Sequence, residues 1–366
     1  MTHAIEQLES RLCDQLGRKH CVVAGRGATA IYLALRALPA KRGKVVLPSI
    51  LCPSPASAVL YAGLEPIFCD VSLSDFNMDP GSLERVLAAH DDVVAVMPVH
   101  LFGQSAPMRE IAEIARHRGL CLIEDAAQAF GGSSRGAKLG SLGDISILSF
   151  GHTKIVDVGW GGAALTDDDA LAARMREELR DIPPCPPNIG DLYAEYRRVY
   201  YSLRPLTELN PRLHALFVPI PFLYREMHLF TLDPEKARLI LAALDGLDDA
   251  VAARRANARE YRRRLQHPDL LHPALDEEDA PWRYSFLVRS DRQKALTARL
   301  REARIDVSNW YPPLHPWYES GRAQDPANFP NADFVGKHVV NLWVEPRITA
   351  EDIRRTCECA LRFLDE

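Results

Sequence analysis

The stretch from Val93 to Asp125, "VVAVMPVHLFGQSAPMREIAEIARHRGLCLIED", decides the fold. Two apolar runs, "VVAVMPV" and "LCLIED", flank "APMREIAEIARHRG", whose apolar residues recur at helical spacing. The same alternation extends back to the N-terminus. "CVVA", "KVVLP" and "EPIFCDV" read as strands, and "ATAIYLALRAL", "PASAVLYAG" and "PGSLERVLAAH" read as helices. Strands that are apolar throughout are buried on both faces, as in a mostly parallel sheet covered by helices. The expected fold class is α/β, with a large doubly wound, mostly parallel sheet domain. In such sheets ligands bind beyond the carboxyl ends of the strands.

Beyond this unit, "DISILSF" and "GGAALT" extend the sheet, and a helix follows from about Asp168 to Arg180. "DIPPCPPNIG" packs four prolines into ten residues and reads as a loop. "LYAEYRRVYYSLRPL" reads as a helix with an aromatic face, lying over the active-site end, with a lid or a partner contact as alternatives. "DPEKARLILAALDGLDDAVAARRANAREYRRRL" predicts one long helix, with Asp233 as N-cap and Pro234 at its first position. "RYSFLVRS", "IDVSNWYP" and "VVNLWVEP" read as strands of a C-terminal α+β unit closed by the helix "AEDIRRTCECALRFL". The expected domains are a large one over 1–250, with an insertion at about 181–230, and a small one over 251–366.

Composition excludes several classes. The 366-residue chain is 47% hydrophobic and 25% charged, with net charge −5 and no extended basic cluster, so no nucleic-acid partner is expected. No apolar run reaches the ~18–20 residues of a membrane span, so no transmembrane segment is expected. The N-terminus reads as an amphipathic helix, with Ile5, Leu8, Leu12 and Leu16 on one face, rather than as a signal peptide. The eight cysteines are scattered and "CEC" is not a zinc spacing, which points to reduced thiols in a cytoplasmic protein without a metal.

Three features fall where a doubly wound sheet places a site. In "VAGRGATAIYLAL" a strand gives way to a turn and a helix beginning near Ala28. Free N–H groups at a helix N-terminus bind anions, and the Thr29 hydroxyl is placed to help. In "CLIEDAAQAFGG" Asp125 ends a strongly apolar strand, where a carboxylate needs a cation or donor, and Gln128 follows three residues on. In "SFGHTKIVDVGWGGAAL" Ser149 ends a strand and Lys154 precedes a glycine run with room for a flat cofactor. An anion-binding turn, a strand-end carboxylate and a lysine together make the set that pyridoxal 5'-phosphate (PLP) requires. Each has a plain structural alternative: a turn, a cap, a solvated loop lysine. His100 and His152 are available, or simply packed and exposed. No G-x-S-x-G elbow supports a serine hydrolase.

The run "PVHLFGQSAPMREIAEIARHRGLCLIEDAAQAFGG…KLGSLGDISILSFGHTK" resembles the DegT-type sugar-nucleotide aminotransferases, fold-type I PLP enzymes. The likeness covers nearly the whole chain, is specific from Pro98 to Lys154 and is loose from Asp181 to Phe230. It implies that Lys154 carries the cofactor, that Asp125 pairs with its pyridine nitrogen, and that Gln128 contacts its phenolic oxygen. It implies phosphate contacts from Ser149, Gly27 and Ala28. It implies an amino donor, plausibly glutamate, a keto acceptor on a nucleotide-linked sugar, and a homodimer with a shared site. The sequence departs from the pattern at four places. Ala28 stands where threonine is usual, Cys52 where an aromatic residue stacks on the ring, and Trp160 where a glutamate is usual. "FLYREM" offers Tyr224 and Arg225 without the usual asparagine. Elimination, dehydration or decarboxylation on a non-sugar substrate is the alternative chemistry, and a non-catalytic regulator is the third. Family dehydratases carry histidine in place of the lysine, which Lys154 argues against. Acceptor contacts are expected from His152, Trp160, Trp310, Tyr311 and His315, with Trp317 nearby.

Overall fold

The computed structural model describes residues 2–318 and 328–366. The amphipathic N-terminal segment forms helix α1 (Thr2–Leu16), burying Leu8, Leu12 and Leu16. The strand–helix alternation then appears as read. The strands are β1 (His20–Ala24), β2 (Lys44–Pro48), β3 (Glu65–Cys69), β4 (Val93–Val96) and β5 (Cys121–Asp125). The intervening helices are α2 (Gly27–Ala37), α3 (Pro53–Tyr61), α4 (Pro80–Ala89) and α5 (Met108–Arg118). Local chemistry sets the helix ends. Asp79 caps α4 by accepting from the Ser82 N–H, with Pro80 at the first position, and Gly119 ends α5 in the left-handed region at φ 64°.

A small hairpin, β6 (Ser133–Ser134) and β7 (Ala137–Lys138), precedes β8 (Ile145–Ser149) and β9 (Gly162–Thr166). The main sheet has seven strands in the order β1-β9-β8-β5-β4-β2-β3. Pairings from β3 through β8 are parallel, whereas β9 runs antiparallel to both of its neighbours. Two antiparallel steps leave β1 parallel to β8. The carboxyl ends of β1, β2, β4, β5 and β8 therefore share one edge of the sheet. That edge receives Gly27, Cys52, Asp125 and Lys154.

Helix α6 (Asp169–Arg180), capped by Asp168, is followed by the proline loop. The aromatic segment forms α7 (Ile189–Leu209), with Pro205 inside it, then a 3₁₀ turn over Pro211–Phe217 and two short helices, α8 (Ile220–Leu223) and α9 (Arg225–His228). The single long helix expected next is two: α10 (Pro234–Leu244) and α11 (Leu247–Arg264), broken at Asp245–Gly246. Glycine is costly inside a helix because of its backbone freedom, and α10 packs against α1 while Ala258 and Tyr261 of α11 join the core of the second sheet. The Asp233 cap is present, its carboxylate accepting from the Lys236 N–H at 2.8 Å. The expected boundary at residue 250 falls inside α11.

A second, antiparallel sheet has the order β10-β11-β13-β12, from β10 (Leu270–Leu271), β11 (Tyr284–Val288), β12 (Val307–Ser308) and β13 (Val339–Leu342). Only Val307–Ser308 of the strand expected in "IDVSNWYP" pairs, because the Trp310 N–H donates to the side-chain Oδ1 of Asn341 at 2.9 Å and not to a backbone carbonyl. Helices α12 (Gln293–Glu302), α13 (Pro330–His338) and α14 (Ala350–Asp365) accompany this sheet, and a Thr349–Asp352 capping box opens α14. The second sheet has its own core, built on Phe286, Leu296, Val340 and Ile353.

Candidate active site

Asp125 is buried at the end of β5, and its Oδ1 accepts from the Ala127 N–H at 2.9 Å. Burial raises this carboxyl above the ordinary aspartate range, against the pull of that N–H, Lys154 and His100. Lys154 is half-buried nearby. Burial lowers its amine below the ordinary lysine range and Arg283 lowers it further, while Cys52 and Asp125 oppose the shift. The cavity thus holds an acid that resists ionising and an amine that sheds its proton readily. Such opposed shifts mark sites of proton transfer.

The loop carrying Lys154 is fixed at several points. Thr153 sits in the left-handed region at φ 69°, a strained position for a β-branched residue. Its N–H donates to Asp157 Oδ2 at 2.7 Å, and the Lys154 N–H donates to the Gly151 carbonyl at 3.1 Å. The Thr153 carbonyl accepts from Trp282 Nε1, from the segment leading into β11. Trp282, Phe102 and Tyr311 are near-parallel rings with centroids 6.1–6.3 Å apart. Gln128 joins this group: its Oε1 accepts from the Phe102 N–H at 2.9 Å, and its Nε2 lies 3.3 Å from the Tyr311 hydroxyl.

A cavity of about 170 Å³ is lined by Gly27, Ala28, Cys52, Asp125, Gln128, Ser149 and Lys154. It adjoins an outer cavity of about 610 Å³, lined in part by Arg26, His152, Lys154, Arg283, Trp310 and Tyr311. Ten of the site residues read from the sequence therefore converge: these seven of the inner cavity with His152, Trp310 and Tyr311.

Three do not. Thr29 is fully buried and its hydroxyl donates to the His228 carbonyl at 2.7 Å, so it faces away from the turn's anion-binding N–H groups. Trp160 lines neither cavity, and its ring lies 4.3 Å from Lys236 Nζ. His315 is buried, its Nδ1 2.8 Å from Ser49 Oγ and its ring stacked on Phe329 at 4.0 Å; burial and His214 push it down to about 4. Trp317 likewise packs on Phe217 at 4.2 Å. His100 is a packed histidine. Its Nδ1 accepts from the Ala106 N–H, so Nε2 donates to Glu124 at 2.9 Å.

Sequence reading missed Arg26, Tyr193, Trp282, Arg283 and Trp343, all of which line the outer cavity. Arg26 stands beside Gly27 at the start of α2, and its buried Nε has no partner. Arg283 is sandwiched between the Trp282 and Trp343 rings at 4.3 and 4.2 Å and bonded to Glu345 at 2.6 Å. The signal for both was a cation beside a motif, in "GRGAT" and in "PWRYS".

These residues fit PLP. The α2 N-terminus and Ser149 offer donors to a phosphate, and a Cβ on Gly27 would come within 3.1 Å of the Ser149 Cβ. Asp125 is available to a protonated ring nitrogen and Lys154 to an aldehyde.

The DegT/DnrJ/EryC1/StrS aminotransferase family model matches residues 1–190 and 226–361. Among relatives, GDP-perosamine synthase of Caulobacter vibrioides is 42% identical over 173 residues, covering 47% of this chain and 46% of that protein. UDP-2-acetamido-2-deoxy-3-oxo-D-glucuronate aminotransferase of Pseudomonas aeruginosa is 28% identical over 96% of this chain and 89% of its own length. The crystal structure of a DegT DnrJ EryC1 StrS aminotransferase from Brucella abortus superposes with a TM-score of 0.80 at 25% identity, covering 99% of this chain and 91% of that one.

Proposed function

Because the chain belongs to the DegT/DnrJ/EryC1/StrS aminotransferase family, we propose that it uses PLP to move an amino group from an amino acid, glutamate foremost, to a keto group on a nucleotide-linked sugar. The observation that carries the cofactor reading is the opposed pair in one cavity: the amine of Lys154, lowered by burial, and the carboxyl of Asp125, raised by it. When bound, PLP supplies an aldehyde for amine exchange and a ring that takes up the electron pair left when the amine-bearing carbon loses its proton. Asp125 would face the ring nitrogen and keep it protonated. The Lys154 amine would serve as the base that takes the proton from that carbon and returns it. Gln128, held by the Phe102 N–H and beside the Tyr311 hydroxyl, would contact the ring's edge, and the Trp282 ring, 6.0 Å from Lys154 Nζ, covers one side of the lysine.

The acceptor reading rests on the outer cavity. Its described lining includes Arg26, Arg197 and Arg283 and no aspartate or glutamate, together with many aromatic rings. Such a surface suits an anionic molecule with a flat base. The named relatives that act on nucleotide-linked sugars support the same class. The eight free thiols support a reducing, cytoplasmic setting, and the family likeness supports a homodimer.

Purified protein is expected to bind PLP with a visible absorption band, and glutamate is expected to bleach it. Lys154→Ala is expected to abolish borohydride-fixed cofactor in the intact mass. A colourless wild type that binds no PLP would sink this reading, and ammonia release with glutamate would replace transfer by elimination.

A further inference from the structure

The family match leaves out residues 191–225. That segment is not a remote loop. Its helix α7 contributes Tyr193, Tyr196, Arg197, Tyr200 and Tyr201 to the outer cavity. The four tyrosines meet the common part of the site, Tyr201 by an edge-on contact with Trp310 at 6.1 Å. The Tyr193 ring stacks on His152 at 5.8 Å, and Tyr196 meets His228 edge-on at 5.7 Å. Tyr200 stacks on Trp310 at 5.9 Å, and Arg204 lies 4.9 Å above the Trp310 ring.

The charge arrangement is the informative part. The guanidinium of Arg26 lies 5.4 Å from the centre of the Tyr193 ring, and that of Arg197 lies 5.8 Å from it. Arg197 also lies 5.6 Å from the Tyr201 ring. Neither arginine forms an ion pair among the described residues, and the outer cavity's described lining has no carboxylate. Beneath them, His228 is buried with both ring nitrogens unpartnered, and burial with Arg26 pushes it down to about 3, so it brings no charge. Two cations sharing one tyrosine in a cavity without acids repel each other unless an anion lies between them. The surrounding rings offer stacking faces beside that anion position.

Resting on the amino-transfer reading, we infer that segment 191–225 is an acceptor-recognition element added over a common catalytic floor. Arg197, with Arg26, holds the diphosphate of a nucleoside-diphosphate acceptor, and Tyr201 holds its base. The segment fixes which acceptor enters. It takes no part in the donor half of the reaction, which occurs at Lys154 below.

The test uses the PLP-loaded full-length protein. UDP, GDP, dTDP and inorganic pyrophosphate are titrated separately by calorimetry against wild type, Arg197→Gln and Tyr201→Leu. Both substituted residues are exposed, so the fold is not at risk, and a matching melting curve checks this. At least one nucleoside diphosphate is expected to bind the wild type. Arg197→Gln is expected to weaken both that nucleotide and pyrophosphate by about tenfold or more. Tyr201→Leu is expected to weaken the nucleotide and leave pyrophosphate unchanged. The rate at which glutamate bleaches the cofactor band should be the same in all three proteins. The inference is overturned if no nucleoside diphosphate binds the wild type, or if Arg197→Gln binds it as the wild type does. It is also overturned if Arg197→Gln slows the glutamate step as much as it weakens the nucleotide. A wild type that binds nucleotide but is not bleached by glutamate instead overturns the amino-transfer reading. Should Arg26→Met weaken PLP but not the nucleotide, Arg26 belongs to the cofactor and the acceptor's anion rests on Arg197 alone, which overturns the two-arginine form.

Discussion

Replacing Asp125 with asparagine should move two quantities in opposite directions. The substitution keeps the shape and keeps an oxygen for the Ala127 N–H, now donated at 2.9 Å. It removes only the charge. In the cofactor-free protein that charge is a burden, because burial holds the carboxyl's pKa above its unfolded value. A folded pKa raised in this way contributes stability that is present below the unfolded value and lost as pH rises through the folded one. Above the folded value the wild type therefore bears the cost of a buried carboxylate, and there Asp125→Asn should be more stable by about 1–3 kcal/mol. Once PLP is bound, the carboxylate faces a protonated ring nitrogen. Losing a charged hydrogen bond of about 1.5–3 kcal/mol weakens cofactor binding roughly 10- to 150-fold. The assay is paired: urea unfolding of the apo protein, and titration of PLP by the visible band. A stabilised apo form with weakened cofactor binding is the expected result. If Asp125→Asn lowers apo stability and leaves PLP affinity unchanged, Asp125 is only a turn cap and the site assignment fails.

Four further outcomes follow from neighbouring geometry. Thr29→Val removes the donor to the buried His228 carbonyl, so it should cost about 1–3 kcal/mol in urea unfolding while the PLP dissociation constant stays unchanged. Glu124 is fully buried, with Oε1 accepting from Gly140 and His100 and Oε2 from Leu142 and Gly143. Glu124→Gln turns one oxygen into a donor facing donors, so roughly two charged hydrogen bonds are lost and unfolding should be easier by about 3–6 kcal/mol. Capture of PLP by the apo protein should quicken with rising pH and level off below the ordinary lysine pKa of about 10.4, because burial lowers Lys154. Arg283→Met removes a neighbouring like charge and should move that plateau to higher pH in stopped-flow measurements.

The parts of the molecule that were legible in the sequence are those where local pattern and position coincide. Apolar strands and helical periods gave the sheet, and residues just past strand ends, Asp125, Ser149 and Lys154, necessarily reached the common edge. Side-chain direction was not legible. Thr29 lies one residue beyond the turn, and the 100° step per helical residue turns it from the cavity to His228. Trp160 sits between two cavity-lining glycines, and His315 lies in an aromatic run, yet both are held by partners distant in sequence, Lys236 and Ser49. The outer cavity was invisible for the same reason: Arg26, Tyr193, Arg283 and Trp343 meet only in three dimensions. The helix break at Asp245–Gly246 was hidden because the apolar period continues across it.

The placement of β9 has a consequence for how the chain comes to be finished. Among the described residues, β1 lies at the sheet's edge and pairs as a strand only with β9, whose residues are 162–166. Helix α1 packs against α10, which begins at Pro234. During synthesis the first strand therefore waits without its neighbour until the sheet behind it has been made, and the first helix waits longer still. Helix α1 is thus among the last pieces fitted to the large sheet, although it precedes every strand of that sheet in the chain. A chain stopped short of α10 would leave the side of α1 that packs on it uncovered, a handle for chaperones and proteases.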